Sequence, residues 1–164
     1  MIEFADAPDE RFVLVDADRV WIGERLDNTW SVRFGKRSSE SRQHRMYTAR
    51  SREAASQALT KAVDEKRATY TVAPQRAAAL ALIEKRLGIV VDERGKSLAV
   101  VSSTGELRVA DLISAIDLAK RHIVVTTIEE LAAALGELRK GSKLTLAVYR
   151  ATSQTHSSLA MTTA

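Results

Sequence analysis

The order of hydrophobic patterns constrains the fold of the first half of this chain more than any other feature. Residues 30–34, Trp-Ser-Val-Arg-Phe, alternate apolar and polar side chains with the period of two that is typical of a half-buried strand. Similar short runs occur at 11–15, 19–23 and 43–48. From 51 to 67 the apolar residues change to helical spacing. Three or four antiparallel strands followed by one helix predict a small α+β module.

The second half shows short β-rich runs around one further helix, which predicts a second small β/α domain. The predicted strands are 87–91, 97–101, 112–116, 123–125 and 144–149. The predicted helix begins at Thr127 and ends near Lys140, where Gly141 follows it in the position that glycine favours after a helix.

The chain is therefore divided into four parts at changes of pattern and composition. Pro74, one of only two prolines, marks the expected end of the first domain. The predicted parts are a first domain (1–73), a helical linker (74–86), a second domain (87–150) and a disordered tail (151–164). The tail is predicted from its Ser- and Thr-rich composition without periodicity.

Composition and missing motifs argue against several classes of enzyme. The absence of cysteine removes disulfides, thiolate nucleophiles and cysteine-ligated metals, and the three histidines are too dispersed for a zinc site. No phosphate-binding loop, dinucleotide glycine fingerprint or nucleophile elbow is present. We therefore expect a protein that is not an enzyme and has no cofactor and no metal.

Location is predicted from the same sequence. The first six residues are acidic and lack the apolar region of a signal peptide. No apolar run is long enough to span a membrane. We therefore expect a cytoplasmic protein without a membrane partner.

The positive charge of the chain is concentrated in one segment. Residues 30–52 contain seven basic side chains against the single acid Glu40, so this segment carries +6. The rest of the chain sums to −2, which gives the net charge of +4. Such a local excess favours a polyanionic partner. The seven basic residues are Arg33, Lys36, Arg37, Arg42, Arg45, Arg50 and Arg52.

The sequence 30–36, Trp-Ser-Val-Arg-Phe-Gly-Lys, with Gln43 after a short loop and the helix behind it, resembles the WGR domain. The resemblance covers about residues 10–72. Members of this family with a known role bind nucleic acid, notably DNA ends in the poly(ADP-ribose) polymerases. The resemblance implies that Phe34 packs on a sugar or base, that Lys36 reaches a phosphate, and that Gly35 lets the backbone approach closely.

The predicted nucleic-acid site combines this resemblance with the charge pattern, because phosphate contacts from Lys and Arg dominate affinity and aromatic faces add stacking. Its residues are Arg33, Phe34, Gly35, Lys36, Arg37, Arg42, Gln43 and Arg45. DNA is the expected partner ahead of RNA. Two alternatives stay open: a solvated basic hairpin with Phe34 in the core, and a protein-binding surface.

Three segments of the second half, 109–116, 125–131 and 138–148, are similar to PDZ domains of bacterial proteases, over about residues 87–150. The resemblance implies a peptide-binding site at Leu87, Gly88 and Ile89, where the carboxylate and strand of a protein C-terminus would bind. The alternative is a domain without an open groove, used for packing or weak homo-oligomerisation.

Together these expectations describe a non-enzymatic adaptor or regulator. The WGR-like half contacts the DNA or RNA backbone, and the PDZ-like half binds a protein. The alternative is an interaction or assembly protein that binds a peptide or self-associates without nucleic acid.

Overall fold

The computed structural model describes residues 7–164, which form two compact units with a boundary between Ala73 and Pro74. The segment 1–6, predicted not to be a signal peptide, lies outside the described residues. Each unit contains one antiparallel sheet with helical packing, and the predicted α+β class is confirmed. No helix within residues 7–164 is both long and apolar enough to cross a membrane.

The first unit is a five-stranded sheet packed against one helix. The sheet order is β4-β3-β2-β1-β5, with all neighbours antiparallel. The predicted strands and helix of this half are confirmed. The elements are β1 (Glu10–Val15), β2 (Arg19–Leu26), β3 (Thr29–Lys36), β4 (Gln43–Thr48), α1 (Arg52–Lys66) and β5 (Thr71–Val72).

Helix α1 begins where the side chain of Ser51 accepts a hydrogen bond from the backbone N–H of Ala54 at 3.1 Å. This N-cap satisfies one of the backbone donors at the start of the helix. The helix packs across β1, β2 and β3. Its buried residues are Ala55, Leu59 and Val63.

Gly23 on β2 lets helix and sheet approach closely. A Cβ atom there would lie 2.6 Å from Cη2 of Trp21 and 2.7 Å from Cδ1 of Leu59. The indole ring and the leucine therefore occupy the space that any larger residue would need, and together with Leu14 and Val32 they form the core of this unit.

The second unit has a six-stranded sheet and two helices. The sheet order is β11-β10-β8-β7-β6, and β9 pairs with β8 outside this path. The elements are α2 (Arg76–Leu87), β6 (Ile89–Arg94), β7 (Ser97–Ser103), β8 (Leu112–Leu118), β9 (Arg121–Val124), α3 (Ile128–Gly136), β10 (Lys143–Arg150) and β11 (Thr155–Thr162).

The segment 74–86 is not a linker, because most of it belongs to helix α2 of the second unit. Ala79, Ile83 and Leu87 lie four residues apart and are buried in the core of this unit. Helix α2 packs against α3 and β6. A continuous apolar face of this kind favours packing over a solvated connection.

The prediction of a disordered tail at 151–164 is wrong. After a turn at 151–154, β11 pairs with β10 along its whole length, from Thr155 opposite Arg150 to Thr162 opposite Lys143. Leu159 and Met161 pack against the hydrophobic core. Eight paired residues and two apolar anchors therefore order a segment whose composition resembles that of disordered chains.

Candidate nucleic-acid interface

The pleat of the sheet separates the residues predicted to bind nucleic acid. Successive side chains of a strand point to opposite faces. Phe34 and Lys36 on β3 lie on the face of the sheet against which α1 packs. The β3–β4 register places Gln43 and Arg45 on the same face. Arg33 lies on the opposite face, as does Gly35.

Arg33 is held by an acidic side chain on that opposite face. Its Nη2 donates to Oε1 of Glu24 at 2.6 Å, and Nη2 of Arg11 donates to Oε2 of the same carboxylate at 3.1 Å. Glu24 is buried, and strand register brings the three side chains together. Arg33 is therefore a structural ion-pair partner on the face opposite to Phe34 and Lys36, and we leave it out of the surface developed below.

Arg37 and Gly35 also have structural surroundings. Arg37 is 3% exposed, and its Nη1 donates to the backbone carbonyl of Asp16 at 3.0 Å. A Cβ atom on Gly35 would lie 3.4 Å from the backbone oxygen of Ser41. This is an ordinary van der Waals distance, so Gly35 is not needed for a close approach within the hairpin, and Arg37 is held away from solvent. Arg42 is half-buried.

Phe34, Gln43 and Arg45 form one continuous strip. The guanidinium carbon of Arg45 lies 5.5 Å from the centroid of the Phe34 ring, a cation–π contact. Gln43 and Arg45 are exposed, and so is Lys36 at the end of β3. Phe34 is half-buried, so it belongs partly to the core and partly to this surface.

Two further aromatic residues, absent from the predicted site, extend this strip. Trp30 and Tyr47 are paired across β3 and β4, and their rings are stacked with centroids 4.4 Å apart and planes at 24°. Tyr47 is 40% exposed. Strand periodicity could have predicted that both share the face of this strip, because Trp30 lies four residues before Phe34 and Tyr47 two residues after Arg45.

We call this surface the open face: the side chains of Trp30, Phe34, Gln43, Arg45 and Tyr47. It is open because α1 packs on the first three strands, whereas the side chains of β4 remain exposed or half-buried at the edge of the sheet.

No family model, curated protein or solved structure matches the chain. The resemblances to the WGR and PDZ domains therefore stay predictions.

The predicted peptide-binding residues of the second unit do not form an open loop. Leu87 and Ile89 are buried in the core. Gly88 caps α2 in the left-handed conformation at φ 68°, and its N–H donates to the carbonyl of Glu84 at 2.9 Å. Its carbonyl accepts from both the N–H and the hydroxyl of Thr104. The backbone donor that a peptide carboxylate would need is already used.

Within residues 7–164, no group of three or more His, Asp or Glu side chains has the arrangement of a metal site. The hydrogen-bonded pair of His122 Nδ1 and Asp117 Oδ1, 2.6 Å apart, is exposed on the β8–β9 hairpin.

Proposed function

We propose that this protein is a non-catalytic nucleic-acid-binding adaptor or regulator and that the open face is its binding surface. One observation carries the proposal: two stacked pairs of side chains lie next to each other. The ring of Tyr47 stacks on that of Trp30, and the guanidinium of Arg45 lies over the ring of Phe34. Aromatic rings and guanidinium planes are the surfaces on which nucleobases stack, with about 1–3 kcal/mol per base on an aromatic ring.

Exposed cations within and beside these pairs supply the phosphate contacts of the proposal, because an arginine can stack with its plane and still donate hydrogen bonds from its edge. Lys36 lies at the end of β3, Arg45 in the middle of β4, and Arg50 two residues after β4, and all three are exposed. Arg33 and Arg37 have structural partners, and the exposed Arg52 is paired with Asp27 at 3.1 Å. We therefore assign the phosphate contacts to Lys36, Arg45 and Arg50. Phosphate contacts of this kind dominate nucleic-acid affinity.

The spacing of the two pairs favours single strands over duplex. Arg45 and Tyr47 are two residues apart on one strand, which corresponds to about 6.8 Å. Neighbouring nucleotides in a duplex rise by only about 3.4 Å, and each base is covered on both faces by its neighbours. Bases can stack on both pairs only when they are unpaired and spread apart.

The test is fluorescence anisotropy with labelled oligonucleotides of one sequence, as single-stranded DNA, duplex DNA and single-stranded RNA. We expect the single strands to bind more tightly than the duplex, with DNA ahead of RNA because of the WGR resemblance. Three phosphate contacts on a single strand predict a slope of log K against log salt of roughly −2.

The outcomes separate the two parts of the proposal. If no oligonucleotide binds at low salt, the function is wrong. If duplex and single strand bind equally with the expected salt dependence, nucleic-acid binding stands and the preference for single strands is wrong.

A further inference from the structure

The second sheet ends in an unusual edge strand. β11 pairs with β10 on one side, and no described strand pairs with its other side. Six of its eight residues are exposed; only Leu159 and Met161 are half-buried. An edge of this length presents a row of unpaired N–H and C=O groups that can accept a further strand.

The chemistry of β11 lacks the features that usually prevent such pairing. Natural edges are protected by charged side chains, by proline, by bulges or by being very short. No Asp, Glu, Lys or Arg occurs from 151 to 164, and no proline or glycine. The edge strands β4, with Arg45, and β6, with Asp92 to Arg94, carry charges, and β5 is only two residues long.

The strand is also held rigidly, so little ordering would be needed for pairing. The hydroxyl of Thr163 donates to the carbonyl of Arg139 at 2.9 Å and accepts from the N–H of Ser142 at 3.1 Å. The backbone N–H of Ala164 donates to the carbonyl of Arg86. These bonds fix the end of β11 against the α3–β10 connection and α2.

We propose that β11 pairs antiparallel with β11 of a second copy of this chain, joining two sheets into one. Two-fold symmetry places each residue of the strand opposite another residue of the same strand. A register centred on Leu159 places Leu159 opposite Leu159 of the second copy and Ser157 opposite Met161. This register continues the apolar row that Leu159 and Met161 form on the core side of the sheet.

A second copy fits this edge because the pairing is uncharged on both sides. The chain has a net charge of +4, which opposes the approach of two copies at long range, but every residue of β11 meets an uncharged residue in this pairing. A strip about 27 Å long and about 10 Å wide is smaller than the roughly 800 Å² per partner of a standard interface. We therefore expect a weak, reversible dimer.

Sedimentation velocity from micromolar to near-millimolar protein tests the proposal. We expect the mass to rise with concentration from 18.0 kDa toward twice that value. In the Leu159 register, two lysines introduced by Ser158→Lys lie diagonally at about 7–8 Å and repel. This variant should remain monomeric, whereas Ser102→Lys, an exposed change of equal charge on β7, should dimerise like the wild type.

Two results would overturn the proposal: a wild-type monomer at every concentration, or a dimer that Ser158→Lys leaves unchanged. Should Ser158→Lys fail to fold, a second variant decides. The chain has no cysteine, so Leu159→Cys can cross-link only with a second copy. Directly opposite residues lie about 4.5–5.5 Å apart between Cα atoms, within disulfide range. Mild oxidation should give a covalent dimer, and Ser102→Cys should not; equal cross-linking of both would contradict pairing at β11.

Discussion

The guanidinium of Arg45 lies over the ring of Phe34, 5.5 Å from its centroid, across the β3–β4 pair. The two residues are diagonal neighbours, because Arg45 pairs with Val32 and Phe34 with Gln43. At an exposed site such a contact contributes about 0.5–1 kcal/mol. The contact also holds the positive charge of Arg45 at a defined position beside Tyr47. Arg45 therefore both packs on the edge of the sheet and belongs to the proposed binding surface.

Reversing the charges of Lys36 and Arg45 should abolish most nucleic-acid binding. The double variant Lys36→Glu, Arg45→Glu removes two proposed phosphate contacts and adds two repulsive charges, so we expect affinity to fall by at least about 100-fold at low salt. The control double variant Arg94→Glu, Lys96→Glu makes the same change of charge on two exposed residues of the β6–β7 hairpin. Anisotropy titrations of the two proteins should differ strongly; similar losses in both would indicate only a general effect of net charge.

Variants of Tyr47 test the contribution of stacking to the affinity separately from the contribution of charge. Tyr47→Ala should weaken single-strand binding by about 1–3 kcal/mol, roughly 5- to 150-fold, while Tyr47→Phe keeps the ring and most of the affinity. Neither change alters a charge, so the slope of log K against log salt should stay at the wild-type value. An unchanged affinity for Tyr47→Ala would show that the ring is not a stacking surface.

Periodicity alone could have divided the predicted site more accurately. The strand bounds of 43–48 were predicted as the structure has them, and alternation along β3 already places Arg33 and Phe34 on opposite faces. When the basic residues are read as one continuous segment, the difference between the two faces of the sheet is lost. The carboxylate of Glu24 is nine residues away in sequence from Arg33, so their pairing depends on the β2–β3 register, which a local pattern does not contain.

Other differences arise from tertiary packing. Ser- and Thr-rich residues after Ala151 favour disorder by composition, but β10 offers eight backbone partners and the core receives Leu159. Likewise, Leu87 and Ile89 are apolar residues that suit either a peptide groove or a core. The choice depends on α2 packing against β6, which involves contacts between separate elements.

Glu24 should be important for stability and not for binding. Glu24→Ala removes the carboxylate that both Arg11 and Arg33 contact, and breaking a buried ion pair in this way costs about 3–5 kcal/mol. Urea unfolding should show this loss, while Glu40→Ala, an exposed loop change, should alter the free energy of unfolding by less than about 0.5 kcal/mol. Under native conditions the folded Glu24→Ala protein should keep its affinity for single strands.

Alanine substitutions at Gly88 and Gly95 form a matched pair of variants that tests how tightly the loop at Gly88 is packed. Both have positive φ, 68° and 58°, so alanine is strained at each by about 1 kcal/mol. A Cβ at position 88 would also clash with Oγ1 of Thr104, whereas nothing lies within 4 Å at position 95. Gly88→Ala should therefore destabilise by roughly 1–3 kcal/mol more than Gly95→Ala in urea unfolding. Equal losses would mean that Thr104 moves away without cost.

The stability of the fold in acid should depend on the ion pair of Asp111 and Arg150. Nε and Nη2 of Arg150 donate to the two carboxylate oxygens of Asp111 at 2.9 and 2.8 Å, and Asp111 is buried. The hydrogen bonds from Arg150 lower the pKa of Asp111 below its ordinary value of 3.8, against the opposing effect of burial; the backbone N–H of Arg108 contributes in the same direction.

Because the pKa of Asp111 is lower in the folded than in the unfolded state, its ionised carboxyl stabilises the protein at every pH above the unfolded-state pKa. That stability is lost as the pH falls through the folded-state pKa, because the carboxyl then takes up its proton in both states. Asp111→Asn should therefore be less stable than the wild type at neutral pH. The difference should shrink below about pH 4, where the unfolded chain begins to take up the proton, and it should reach its minimum once the folded carboxyl is protonated as well. Asp64→Asn, an exposed change on α1, serves as the control and should cause little loss at any pH. Urea unfolding at a series of pH values measures both differences; a deficit of Asp111→Asn that persists undiminished in acid would show that the charge of Asp111 does not stabilise the fold.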